Sequence, residues 1–147
     1  KIGLRVWGCD VCQQVCPWND GATVANRPEF RPVPELEPAP SLIDMLQMST
    51  GEFRRKFGRT AAAWRGKKTL QRNAAIALGN TRNPAVVPTL AQALAEDAKP
   101  VVRGSAAWAL GRIGGNEARA ALERARAMEK DVDVLKEIEL ALAKLTG

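Results

Sequence analysis

The sequence predicts a mainly α protein in which an irregular, cysteine-bearing loop precedes an α-solenoid of short helical repeats. Three observations carry that reading. Ala74-Ala75-Ile76-Ala77-Leu78-Gly79 returns 32 residues later as Ala106-Ala107-Trp108-Ala109-Leu110-Gly111, and a degenerate third copy sets Ala141-Leu142 on Ala109-Leu110. All three cysteines, Cys9, Cys12 and Cys16, fall within eight residues of one another. Between these features five prolines, Pro28, Pro32, Pro34, Pro38 and Pro40, deny residues 21–40 regular backbone hydrogen bonding.

Four segments follow in order: the cysteine segment 1–20, a proline-rich extended connector 21–40, short basic helices over 41–69, and helical repeats over 70–147. Ser41 with Asp44 fits a helix start, and Ser49 with Glu52 is a capping-box pattern for a second helix holding Phe53 and Phe57. In the repeats, each unit reads as an Ala/Leu-rich helix ending near a C-cap glycine. A second helix then opens at Asn83-Pro84 or at Asn116, since Asn caps and Pro suits the first turn. Leu78, Leu90, Leu110, Leu122 and Leu142 supply the apolar area, while the alanines let neighbouring helices approach. One helix pair cannot cover its own apolar face, so burial comes from stacking between repeats. Residues 70–147 resemble short HEAT-like repeats of the phycocyanobilin-lyase type, which establish architecture but very little function.

Composition narrows the classes. The 46% hydrophobic content suits a packed soluble core, and no stretch approaches the roughly 20 apolar residues of a membrane span. Lys1 stands where a start would have Met, and residues 1–6 lack a secretory signal pattern, so the beginning reads as an internal cut. The net charge is +6, yet Gly51 to Arg82 holds nine basic residues against the single acid Glu52, a local +8. Such an excess suits a polyanionic partner; it also suits a solvated surface that keeps a protein soluble.

An odd, tightly clustered set of cysteines without secretory context argues for metal over a disulfide framework, in the reducing cytosol. Cys9-Asp10-Val11-Cys12-Gln13-Gln14-Val15-Cys16-Pro17 has the spacing C-x2-C-x3-C-P. In two-cluster ferredoxins the fuller run is C-x2-C-x2-C-x3-C-P, whose last cysteine ligates the other cluster. Val6 occupies the place of the first cysteine, so Cys9 and Cys12 need further ligands and Cys16 would reach a second cluster. Structural zinc is the competing reading, but it wants four ligands and this chain has three Cys and no His.

The residues around the cysteines resemble the epoxyqueuosine reductase family. Val6-Trp7-Gly8-Cys9-Asp10 through Cys16-Pro17-Trp18-Asn19 is similar to that family's second cluster segment. Glu52-Phe53, Phe57, Leu70 and Arg72-Asn73-Ala74-Ala75-Ile76-Ala77-Leu78-Gly79-Asn80 are similar to its junction into C-terminal repeats. The resemblance implies a cobalamin-dependent enzyme with two [4Fe–4S] clusters that removes the epoxide oxygen of epoxyqueuosine at the tRNA wobble position. It also implies that the catalytic acid and most of the cobalamin pocket belong to an N-terminal domain outside this sequence, so no catalytic residue is assigned. The clusters would be served by Cys9, Cys12 and Cys16. The tRNA anticodon region would meet Arg54, Arg55, Arg59, Lys67, Lys68, Arg72 and Asn73, with Arg72 and Asn73 read as opening the first repeat helix beside a phosphate. The electron donor is not identified.

Trp18 reads either as a shield for a cluster or as core, and Trp108, equivalent to Ile76, as a packing residue. Trp64, among Arg59, Arg65, Lys67 and Lys68, reads first as core packed on Phe57 or the first repeat; stacking on an unpaired base is the second reading. Two other functions compete with the reductase. One is an iron–sulfur electron-transfer protein with a protein-binding repeat module, and the other is a zinc-stabilised scaffold.

Overall fold

The computed structural model describes residues 3–23, 27–28 and 39–146; most of the proline-rich connector, 24–26 and 29–38, lies outside the described residues. Helices dominate, and no strand occurs among the described residues. No helix of the described residues is long and apolar enough to cross a membrane.

Helix α1 (Val11–Gln14) is a single turn followed by a 3-10 turn at Pro17–Asn19. Helix α2 (Leu42–Gln47) starts where Ser41 Oγ accepts the Asp44 N–H at 3.3 Å, and it buries Met45 and Leu46. Helix α3 (Thr50–Phe57) carries the full capping box: Ser49 Oγ accepts from Glu52 N–H at 3.1 Å, and the Glu52 carboxylate accepts from Ser49 N–H at 2.8 Å. Those bonds hold the Glu52 carboxyl below its ordinary range. Phe53 and Phe57, one turn apart, stack with centroids 5.9 Å apart and anchor α3 to the core.

After the single turn α4 (Ala62–Arg65), the repeats comprise α5 (Lys67–Thr81), α6 (Val87–Glu96), α7 (Pro100–Ile113), α8 (Asn116–Met128) and α9 (Val132–Thr146). Helices α5, α7 and α9 lie side by side as one layer, and α6 and α8 form the other. Ala74, Ala75, Ala77, Ala106, Ala107 and Ala109 are fully buried between them. Leu78, Leu90, Leu110 and Leu122 are buried as the 32-residue period requires, each contributing about 1.5–3 kcal/mol. Leu142 is only partly buried, and its neighbour Ala141 takes the inner position. The face of the first repeat that would otherwise be bare is covered by α2, where Gln71 Nε2 donates to the Leu46 carbonyl at 2.7 Å.

Three local expectations need correction. Gly79 and Gly111 are not C-caps: α5 runs on to Thr81 and is capped by Arg82 in the left-handed region (φ 53°), while α7 is capped by Gly114 (φ 79°). Their role is close approach, since a Cβ on Gly79 would stand 2.8 Å from Ala109 Cα and one on Gly111 would stand 2.6 Å from Ala141 Cβ. Asn116 does not cap α8, which starts from Gly115 (φ 90°) with no side-chain cap. Asn83 does act as expected, its Oδ1 accepting the Ala85 N–H at 3.0 Å ahead of a Pro84–Val86 3-10 turn and α6.

A partly buried ion pair ties two connections together. Arg103 on α7 donates to Glu129 through Nε (2.7 Å) and Nη2 (2.9 Å), and through Nη1 to the Asp97 carbonyl (2.9 Å). The Arg103 guanidinium, helped by the Asp131 and Lys130 N–H groups, holds the Glu129 carboxyl down at about 2 despite burial. A depressed carboxyl stabilises the fold fully above its ordinary value of 4.5 and loses that contribution as pH falls towards 2. Glu129→Gln is therefore expected to cost about 2–3 kcal/mol at pH 7 and almost nothing at pH 2. Urea unfolding of both proteins at the two pH values measures the difference.

Candidate nucleic-acid interface and cysteine loop

The cysteine loop is built from short-range bonds. Gly8 sits at φ 67°, then Gln14 N–H donates to Asp10 O (2.8 Å) and Val15 N–H to Val11 O (3.1 Å), closing α1 around Cys12. Cys16 is extended (φ −76°, ψ 118°), as a residue before proline prefers, and the 3-10 turn that follows is fastened by Asn19 Nδ2 donating to Gln13 O at 2.9 Å. The three thiols are free; Cys9 and Cys12 are exposed and Cys16 half-buried. Among the described residues no three Cys, Asp or Glu side chains converge on one point. Trp18 is 91% exposed, so it is not core within this chain.

The segment leading into this loop is held by the repeats. Asn73 Nδ2 donates to Val6 O at 2.7 Å, and Asn80 Nδ2, seven residues along the same helix, donates to Gly3 O at 2.8 Å. Both amides are oriented by arginines: Arg72 donates to Asn73 Oδ1 at 3.0 and 2.9 Å, and Arg112 of the next repeat donates to Asn80 Oδ1 at 3.1 Å. The Arg112 guanidinium also lies 5.6 Å from the centre of the Trp108 ring, a cation–π contact that fixes both; Trp108 is a packing residue, as the repeat alignment implies. Asn80 closes the junction motif quoted above but was given no role there, and Arg112, at the equivalent position 32 residues on, was not named.

The basic residues divide into free and engaged groups. Arg54, Arg55, Arg59, Arg65 and Lys68 are exposed, and among the described residues none of them is paired with an acid. Lys67 is half-buried and its Nζ donates to the Met48 carbonyl at 3.3 Å. Arg72 and Asn73 do not open the helix, because α5 begins at Lys67; they lie in its second turn, and Asn73 is occupied with Val6. The first turn of α5 has no side-chain cap, and Lys67 and Lys68 add positive charge to the positive end of the helix dipole. Trp64 is 91% exposed beside them, which overturns the expectation that it packs in the core.

Residues 61–143 match the family described as HEAT repeats. The epoxyqueuosine reductase of Bacillus cereus is 46% identical over 145 residues, covering 99% of this chain and 38% of that protein. That of Bacillus subtilis is 44% identical over 149 residues, covering 100% of this chain and again 38% of its own length. A crystal structure of epoxyqueuosine reductase with an epoxyqueuosine-modified tRNA-Tyr stem loop superposes at a TM-score of 0.92, with 43% identity over 100% of this chain and 39% of that one. The reductase of Streptococcus thermophilus superposes at 0.78 with 32% identity, over 99% of this chain and 38% of that one. The chain thus spans under two-fifths of the length of these reductases. From the matched repeats and the whole-chain similarity together, the chain belongs to the HEAT-repeat family and is homologous to a part of the epoxyqueuosine reductases.

Proposed function

We propose that this chain is the C-terminal portion of a cytosolic epoxyqueuosine reductase, supplying cluster ligands and a tRNA-binding surface while the catalytic domain lies elsewhere in the protein. The observation that carries this is the 0.92 superposition, over the full chain, on a reductase bound to a tRNA stem loop. The donor set fits an iron–sulfur centre: three free thiols on one short loop, in a chain without histidine. Cys9 and Cys12 would serve one [4Fe–4S] cluster and Cys16 another, an assignment that does not ask the three thiols to converge. Such clusters, when bound, supply single electrons at low potential. The polypeptide contributes placement: Asn73 and Asn80 hold the backbone entering the loop, and the extended Cys16 backbone ends α1 and leads into the Pro17–Asn19 turn. No residue of this chain is assigned to cobalamin, which belongs with the catalytic domain.

Arg54, Arg55, Arg59 and Lys68 are free to meet phosphates of the tRNA anticodon region, while Lys67 and Arg72 also bond within the chain, to the Met48 carbonyl and to Asn73 Oδ1. The test uses the full-length protein, purified anaerobically. It should carry about eight irons and convert epoxyqueuosine in tRNA to queuosine, and Cys9→Ser with Cys12→Ser should roughly halve the iron. Stoichiometric zinc without iron, or iron without conversion of the tRNA, would remove the reductase reading; the second outcome would favour electron transfer to another protein.

A further inference from the structure

We propose that Trp64 is a base-stacking residue, its indole taking an unpaired nucleobase of the bound tRNA while Arg59, Arg65 and Lys68 hold the flanking phosphates; this rests on the tRNA reading above. The starting point is a contrast within one segment. Phe53 and Phe57 are 8% and 7% exposed, so the core beside α3 takes aromatic rings readily, yet Trp64, seven residues on, is left 91% exposed. Leaving the largest apolar side chain in water is unfavourable unless something covers it.

The indole stands on a fixed platform. Thr60 Oγ1 donates to Phe57 O at 2.8 Å and accepts the Ala62 N–H at 3.2 Å, which pins the entry to α4. The exit is pinned by Gly66 N–H donating to Ala63 O (3.1 Å), by Gly66 itself at φ 78°, and by Thr69 Oγ1 donating to Arg65 O (2.9 Å). The backbone that presents Trp64 is therefore held by a hydrogen-bonded turn, so little backbone freedom is lost when a base stacks on the indole. A planar base and an indole stack regardless of base identity, and neighbouring cations hold the backbone that carries the base.

Charge identifies the occupant. Glu52 is the one acid between residues 51 and 82, and Arg59, Arg65 and Lys68 are exposed without acidic partners among the described residues. Trp18 is equally exposed but lies between Asp10 and Asp20 with no basic residue from Val6 to Ala22, a stretch that offers a phosphate backbone no cation. Exposure alone would select both tryptophans; only Trp64 is matched to a polyanion.

The experiment compares Trp64→Ala, Trp64→Phe and wild type as full-length protein on two probes, an anticodon stem-loop RNA and a fully paired RNA duplex. Trp64→Ala should weaken stem-loop binding about 5- to 150-fold, leave duplex binding within about twofold, and leave the salt dependence unchanged because no charge is removed. Trp64→Phe should recover most of the loss. Unchanged stem-loop affinity in Trp64→Ala, or equal losses on both probes, overturns the proposal. So does a melting temperature lowered by more than a few degrees, which would assign the indole to packing against another part of the full-length protein. If wild type binds neither RNA, it is the tRNA reading that fails.

Discussion

Gly79→Ala should destabilise the repeats by about 1–3 kcal/mol, although the same change at an unhindered helix position gains about 0.5–1 kcal/mol. The reversal of sign comes from the partner. A Cβ on Gly79 would lie 2.8 Å from both Cα and Cβ of Ala109 and 3.1 Å from the Trp108 ring, and backbone atoms of a neighbouring buried helix cannot step aside as a flexible side chain can. Gly111→Ala meets the same obstacle in Ala141, at 2.6 Å from Cβ and 2.8 Å from Cα. Gly104 on α7 is the internal control, because its added methyl would find only Glu137 Cγ, at 3.7 Å. Gly104→Ala should be neutral or stabilising by up to about 1 kcal/mol. Larger side chains at 79 or 111 should separate α5 from α7 or α7 from α9 and abolish cooperative unfolding. Urea denaturation measures all three alanine variants, and a stabilised Gly79→Ala would show that the layer is not held at this spacing.

Reversing four of the five free cations together, Arg54, Arg55, Arg59 and Lys68 to Glu, should weaken tRNA binding on the order of 100-fold or more and reduce the slope of log K against log salt by about 3. Lys67 and Arg72 are left intact because they have structural partners, Met48 O and Asn73 Oδ1, so replacing them would confuse lost contacts with lost structure. Phosphate contacts carry little sequence information, so all tRNA substrates should suffer alike. Circular dichroism and iron content should stay at wild-type levels, since these side chains are exposed. Unchanged affinity and slope in a folded protein would place the RNA surface elsewhere and favour an acidic protein partner.

Much of this architecture is legible in the sequence because it rests on local rules. The 32-residue recurrence of Ala-Ala-x-Ala-Leu-Gly locates the buried layer, and Ser49 with Glu52 fixes the start of α3 from four residues alone. Gly79 was misread because a helix cap and a close helix crossing both select glycine, and only the position of Ala109 tells them apart. Trp64 was misread for a related reason: sequence gives an aromatic near a helix junction, but whether it turns inward depends on the Thr60 and Gly66 turns around it. Asn73 looked like a phosphate ligand because its partner, the Val6 carbonyl, is distant in sequence. The cysteine spacing is plain in the sequence, while the placement of Gly3 and Val6 against α5 is not.

The two asparagine bonds also set an order of events in time. Val6 and Gly3 lie 67 and 77 residues before Asn73 and Asn80, and Asn80 is itself oriented by Arg112, a further 32 residues on. On a ribosome the cysteine stretch emerges long before any of these anchors, and such distant loops close only after the local helices have formed. The contact that holds Val6, at the entry to Cys9, Cys12 and Cys16, therefore forms only once α5 has been made, and the one that holds Gly3 gains its Arg112 support only once α7 has paired with α5. The repeats act as a latch on the loop, and the latch shuts last.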